Sequence, residues 1–430
     1  MRKAVVVGSG AGGATAAKEL QGAFDVTVLE AGRAFRPFSL NLSALAKVKK
    51  LGLLFDEREI QALFPAFRVR KTEDMVLING KGMGGTTTMA TANALRLDRD
   101  LKALGLSLDA EFTSAREEIP ISAGHEIGWR PATRRLFDAC GEMGLSPYPT
   151  PKMGDYAHCR HCGRCVLGCP YGVKWDSRHF LGEARAKGAA ILTGCRAERV
   201  VIRNGRAAGV EARAGLKRRH FSADLVILAA GGLGTPEILE RSGISSEPRL
   251  FVDPVLCVAA EFPAADLDRE VSMPFIVERD GYMVSPYFDY LSFFFNKKWS
   301  YPAKNILSLM IKLADSSAGR VSVEGVKKAL TKEDGEKLEE GVMLCQEILG
   351  RLGIRKDRMF LGTVNAGHPG GTLPLTAAES VSLHHPSLPP KLYVSDASLF
   401  PRSLGGPPIL TIIALAKRIS RLCRDEIHSA

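Results

Sequence analysis

The stretch KAVVVGSGAGGATAAKELQGAFDVTVLEAG, residues 3–32, restricts the possible folds of this chain more than any other. It reads as strand, glycine turn, helix and second strand. Val5, Val6 and Val7 form the unbroken apolar run of a parallel strand buried on both faces. Gly8, Gly10 and Gly13 satisfy G-x-G-x-x-G. The first glycine makes the tight turn, the second lets backbone approach a pyrophosphate, and the third lets the helix lie close to the sheet with its N-terminus on the phosphates. Glu30 closes the second strand at the spacing where a carboxylate accepts ribose hydroxyls. A lone glycine motif would do as well for an empty turn. Strand, helix, strand and terminal acid together point to a dinucleotide, with FAD and NAD both open. At 430 residues the chain has room for two or three domains, or one discontinuous pair.

A second feature sits inside this α/β pattern. CRHCGRCVLGCP, residues 159–170, holds four of the chain's nine cysteines. Cys159, Cys162, Cys165 and Cys169 follow C-x2-C-x2-C-x3-C-P, the ferredoxin spacing for a [4Fe–4S] cluster. Cys169 closes the set, or a remote thiol, Cys140 or Cys195, does. Zinc, which favours two knuckles separated by a longer loop, and reduced structural thiols are the alternatives. Cys257, Cys345 and Cys423 read as core thiols. Met1-Arg2-Lys3 runs straight into the first strand, and no stretch reaches the ~18 uninterrupted apolar residues of a membrane span. A cytoplasmic location, where thiols stay reduced, is the expectation.

Three further motifs carry a family resemblance. GKGMGGTTTMATANALR, residues 80–96, is another glycine turn. ADLVILAAGGLGTPEIL, residues 223–239, is a buried strand that turns into a helix. HPGGT, residues 368–372, precedes LYVSDASLFPRSLGGPPILTIIALAKRIS, residues 392–420. In this order they resemble the glucose–methanol–choline (GMC) oxidoreductases. The resemblance implies a discontinuous Rossmann-like FAD-binding domain (1–97, 176–245 and 385–430). It also implies an antiparallel sheet with helices as substrate cap (98–154 and 246–384), and leaves 155–175 as the cysteine-rich segment. Gly8, Gly10, Gly13 and Glu30 would take the pyrophosphate and ribose. Gly84, Gly85 and Thr86 would lie along the flavin, Val200 would meet the adenine, and Gly231, Asp396 and Ala397 would complete the contacts.

The resemblance also makes His368 the base over the flavin, although a histidine before Pro369 serves equally to cap a turn. The family's second polar partner is missing, because Pro407 stands in its place; Asn365 is a candidate substitute. Asn93 would replace the usual asparagine near Ala90. Met89 stands where some members carry a flavin-linking histidine, so FAD should be non-covalent.

The expected activity is a dehydrogenase: an apolar or long-chain alcohol gives hydride to flavin, and the cluster passes electrons outward. A net charge of +11 would suit an acidic carrier such as a ferredoxin, while the lack of a basic block sets nucleic acid aside. The alternatives are a cluster-fed reductase of a carbonyl or alkene, an alcohol oxidase or non-redox lyase with structural cysteines, and an electron-transfer subunit with a degenerate site. Phe275, Tyr282, Tyr287, Phe288, Tyr290 and Phe293–Phe295 line a pocket or form a sheet core. FFFNKKW, 293–299, also has the composition of a peripheral membrane contact. Residues 331–354 read as an amphipathic scaffold helix capped by Thr331 or a neighbour.

Overall fold

Strand β1 (Lys3–Val7) forms at the centre of a parallel sheet because its apolar run has no polar face to leave in water. The computed structural model describes residues 1–38 and 57–428; the parts of segments 1–97 and 385–430 beyond these lie outside the described residues. Helix α1 (Ala11–Leu20) follows, then β2 (Asp25–Glu30). The five-stranded sheet runs in the order Leu392–Val394, Leu225–Leu228, β1, β2, Ala190–Thr193, and every neighbouring pair is parallel. Its strands come from both ends and the middle of the chain, so the α/β domain is discontinuous, as expected. The last helix, Ile409–His428, packs on α1. A separate antiparallel meander spans Cys195–Arg203, Arg206–Ala214 and Lys217–Ser222.

The cap is a nine-stranded sheet, antiparallel except where Asn365–Ala366 pairs parallel with Val76 and Leu77. The hairpin of Phe67–Lys71 and Val76–Gly80 belongs to this sheet, which corrects its assignment to the first cofactor-binding segment. Its central strand Ile306–Leu313 is buried along its whole length because both faces are covered. Side chains alternate across a strand. Leu307, Leu309, Ile311 and Leu313 pack with the helix Lys332–Arg351, whereas Ile306 and Met310 join the aromatic core on the opposite face. That helix opens with the expected cap: Thr331 Oγ1 accepts from Asp334 N at 3.2 Å, and Asp334 Oδ2 accepts from Thr331 N at 3.0 Å.

The segment FFFNKKW follows Asp289, whose carboxylate caps the short helix Tyr290–Phe295. Phe293, Phe294 and Trp299 are buried, which leaves Lys297 and Lys298 as its exposed residues. Among the described residues no helix is long and apolar enough to cross a membrane.

Candidate active site

Two clefts meet along a common wall. The first, enclosing about 1420 Å³ of empty volume, is lined by the glycine turns, Glu30, Gly231, Asp396 and Ala397. Gly8 has φ +99°, and a Cβ there would lie 2.2 Å from the Ala229 carbonyl oxygen, so only glycine fits. At Gly10 a Cβ would meet no atom within 4 Å; that position faces open space in the cleft. Glu30 Oε2 accepts from Ser9 Oγ at 2.6 Å, Oε1 accepts from Gly32 N at 2.7 Å, and burial pushes this carboxyl above its ordinary range. Ser9 Oγ accepts from Gly84 N at 3.0 Å and so ties the two glycine turns together. Asp396 accepts from Gly231 N at 2.9 Å, Thr235 Oγ1 at 2.6 Å and Ser398 N at 2.9 Å; burial raises it too. A long cleft edged by bare backbone at Gly10 and Gly85, with an acid at the end of β2, fits FAD. Val200 does not line it: its N–H donates to Ser242 Oγ at 2.8 Å, and Arg196 and Ala197 of the same strand face the cleft instead.

The second cleft, about 1110 Å³, is mostly apolar, with Phe67, Ile78, Tyr287, Tyr290, Phe294 and Met310 among its walls. Of the other aromatics proposed for a pocket, Phe288 and Phe293 lie in the core beneath it, and Phe275 and Tyr282 pack on the helix-covered face of the sheet. Met89 and Pro407 line this cleft, as does the buried Asn93, whose Oδ1 accepts from Lys152 Nζ. Gly80, Thr86, Ala90, Gly367, His368 and Ile409 line both clefts. His368 therefore stands where a ring in the first cleft and a molecule in the second would touch.

His368 Nδ1 lies 3.2 Å from Asp253 Oδ2. Asp253 is buried and sits at φ +53°, a strained backbone for a non-glycine residue. It also accepts from Ser403 Oγ and faces Lys312 Nζ at 3.6 Å. Burial alone would raise the Asp253 carboxyl, but Lys312, His368 and Ser403 hold it below the usual range. Burial and the Lys312 cation push His368 down, against the upward pull of Asp253 and the Gly406 backbone. The downward shift favours the neutral imidazole, the form a base requires.

Asn365 Nδ2 donates to Asp289 Oδ2 at 3.3 Å and to the Thr363 carbonyl at 3.1 Å, so this amide is already engaged. Asp289, pushed up to about 6 by burial, also lines the second cleft. Asp253, Lys312 and Asp289 were not singled out in the sequence. For Lys312 a signal existed: it is the one charge inside the apolar strand ILSLMIKL.

The cysteine segment backs onto the second cleft. Val166 and Leu167 form part of the second cleft's wall. Cys159, Cys162, Cys165 and Cys169 are half-buried and line a small cavity together with Tyr156, Arg160 and Lys174. Tyr156 Oη is buried without a hydrogen-bond partner. Among the described residues no three His, Cys, Asp or Glu side chains converge as the ligands of a metal ion, so the expected ligand set is not gathered as a formed metal site. Burial pushes the Cys159 thiol up to about 12. Cys140 and Cys195 are buried in two other cores, away from this cavity, and Cys257, Cys345 and Cys423 are core thiols as expected.

Two buried lysines brace the chain after the Gly85 turn, one of them, Lys174, from within the cysteine segment. Lys174 Nζ donates to the carbonyls of Thr87, Thr88 and Ala90 at 3.1, 2.7 and 2.9 Å. Lys152 Nζ donates to the carbonyls of Thr91 and Ser272 at 3.3 and 2.6 Å. Burial lowers Lys152 to about 7, against the pull of Cys165 and Cys159, and Lys174 to about 8, against the pull of Asp176 and then of the cysteines.

Comparison with known proteins bears on this arrangement. A family profile described as GMC oxidoreductase matches residues 2–258. An uncharacterized protein of Methanocaldococcus jannaschii is 28% identical over 422 residues, covering 97% of this chain and 98% of that one. A long-chain-alcohol oxidase of Arabidopsis thaliana is 25% identical over 97% of this chain and 66% of its own length. An uncharacterized GMC-type oxidoreductase of Mycobacterium tuberculosis is 35% identical over 57% of this chain and only 40% of its own. The crystal structure of pyridoxine 4-oxidase from Mesorbium loti superposes with a TM-score of 0.73 at 18% identity, covering 100% of both chains.

Proposed function

The chain belongs to the GMC oxidoreductase family, and on that premise we propose that it binds FAD non-covalently and oxidises the CH–OH group of an apolar, long-chain alcohol. The observation that carries this reading is His368 on the wall common to the glycine-edged cleft and the apolar one. FAD, when bound, supplies the acceptor for the hydride leaving the carbinol carbon. His368 takes the hydroxyl proton. Asp253 holds Nδ1–H, which fixes the tautomer and stabilises the imidazolium that forms. Glu30, Gly8, Gly10 and Gly13 would hold the adenosine side, and the Gly85–Thr86 turn the flavin side. The apolar walls take the alkyl chain and keep water from the reacting carbon. The Arabidopsis relative's description as a long-chain-alcohol oxidase agrees with that substrate class. The test is anaerobic mixing of the FAD-loaded protein with a homologous series of straight-chain 1-alkanols. Flavin bleaching should quicken as the chain lengthens. A preference for short, hydrophilic alcohols would refute the substrate class.

The electron exit has two readings. The plant relative's description favours oxygen as the acceptor. The cysteine segment favours a [4Fe–4S] cluster and an external, acidic carrier. Its support is the ferredoxin spacing, four thiols on one cavity, and the unpartnered Tyr156 Oη beside them. Iron and sulfide analysis after anaerobic purification decides between the two readings. Cys162→Ser should lose the iron and keep the flavin; equal iron in variant and parent would end the cluster reading.

A further inference from the structure

The second cleft needs a donor for the oxygen that turns into an alkoxide, and the two obvious positions do not provide one. Pro407 has no polar side chain, and the Asn365 amide is spent on Asp289 and Thr363. Lys312 is placed to do the work. Its strand Ile306–Leu313 alternates faces, and Ser308, Met310 and Lys312 share the face turned away from the cap helix. Val255 pairs across the sheet with both Lys312 and Asn365, so Lys312 lies one strand from the segment that leads to His368. The side chain is 3% exposed and lines the cleft. As an ammonium its Nζ offers three donors; burial pulls its pKa down, while Asp253 and Asp315 pull it up. It hydrogen-bonds the Asp253 carbonyl at 3.2 Å, and the Asp253 carboxylate at 3.6 Å is a charge contact beyond hydrogen-bond reach. Donors are therefore left over, and they sit next to the carboxylate that orients His368.

We propose that Lys312 donates a hydrogen bond to the substrate oxygen as it becomes an alkoxide, supplying the second polar group that Pro407 cannot. The hydroxyl proton goes to His368 and the hydride to the flavin; Lys312 keeps its own protons, and no bond to it forms or breaks. A preformed donor in a dry cleft acts mainly on the transition state, so its loss should show in the rate more than in alcohol binding. The competing role is charge balance alone. Asp315 is already paired with Lys328 at 2.8 Å, which leaves Lys312 as the counter-charge of Asp253.

Two measurements on the FAD-loaded protein separate these roles. The proposal rests on the alcohol-oxidation reading, so one of them needs no turnover. Sodium decanoate presents an oxyanion on an apolar chain, and its binding is read as a change in the flavin absorbance band. In the parent it should saturate; in Lys312→Met its dissociation constant should rise at least about tenfold. No saturable change in the parent, or equal affinity in the variant, overturns the proposal. The other measurement is anaerobic flavin reduction by whichever 1-alkanol the parent uses best. Lys312→Met should slow it on the order of 10²-fold, with a much smaller change in the alcohol concentration for half-saturation. Lys312→Arg keeps the charge but replaces a compact ammonium by a wide planar fork, and it also serves if the Met variant does not fold. If the lysine only balances charge, Lys312→Arg reduces at the parent rate; if it touches the oxygen, Lys312→Arg is at least about tenfold slower. A parent that binds decanoate through Lys312 but oxidises no alcohol would refute the functional reading and leave the oxyanion site standing.

Discussion

Replacing Asp253 with Asn changes one buried carboxylate to an amide of the same shape, and three consequences can be worked out separately. Asp253 is 1% exposed and touches His368 Nδ1 at 3.2 Å, Lys312 Nζ at 3.6 Å and Ser403 Oγ. The first consequence is for stability. Lys312 loses its partner, and the next carboxylate, Asp315, is committed to Lys328 at 2.8 Å. Removing one member of a buried ion pair costs about 3–5 kcal/mol. The second is for rate. An amide can present N–H to the imidazole and hold the wrong tautomer, so flavin reduction should slow by about 10²–10⁴. The third is the pH profile. Burial and Lys312 push the His368 pKa down, and Asp253 pulls it up. Without Asp253 the pKa falls further, so the acid limb of kcat/KM moves to lower pH while the plateau drops. Rapid-mixing flavin reduction across the pH range, with urea unfolding of the same samples, reads all three. A variant that reduces within about threefold of the parent, with its acid limb unmoved, would refute the dyad.

Three further outcomes follow from other sites. His125 is buried, donates from Nε2 to the Thr150 carbonyl at 2.8 Å, accepts from Trp129 Nε1 at 3.0 Å, and burial lowers its pKa from 6.5 to about 4. The unfolded chain then takes the proton first, so stability present above the unfolded value drains away as pH falls toward the folded one. The parent should lose roughly 3 kcal/mol more than His125→Gln between neutral pH and about pH 4, by urea midpoints; equal losses would show that His125 is not the titrating group. Gly13→Ala puts a Cβ 2.1 Å from the Gly8 carbonyl oxygen, so the purified variant should release far less flavin per chain than the parent; a full complement would contradict the close turn. Thr331→Ala removes a helix cap remote from both clefts and should cost about 1 kcal/mol in urea while leaving alcohol rates unchanged; a change in rate would mean the cap helix reaches the site.

What could be read in the sequence was whatever is local in the chain. The turn after β1 needs glycine at positions set by its own backbone, so the fingerprint and Glu30 located the cofactor sheet without knowledge of the rest. His368 was legible only through the family resemblance, because nothing near it in sequence marks a base. Its partners lie far off in the chain: Asp253 is 115 residues away, and Lys312 reaches the site by sheet register. The aromatics went half wrong for a related reason. Alternation tells which side chains share a face, but not that one face of the sheet is covered by the helix Lys332–Arg351, so Phe275 and Tyr282 could not be separated from Tyr287 and Phe294. Val200 was misplaced along its strand, whose pairing with the next strand carries shifts between Ala207 and Gly209 and between Glu211 and Ala212. Ligation by the four thiols depends on how tightly a loop closes, which spacing alone does not decide.

The carbonyls of Thr87, Thr88 and Ala90 converge on one ammonium group, as they would on a monovalent cation drawn from solution. Here the cation is Lys174, tethered to the chain and translated 84 to 87 residues after the groups it gathers. During synthesis the flavin-side turn therefore stays unlatched until the ribosome has passed the cysteine segment, and the cofactor cradle cannot be finished on the N-terminal piece alone. The latch needs no potassium or sodium and, being buried, is screened less by added salt than a surface contact would be. Cutting out the cysteine segment together with Lys174 would leave three carbonyls facing one another with nothing between them.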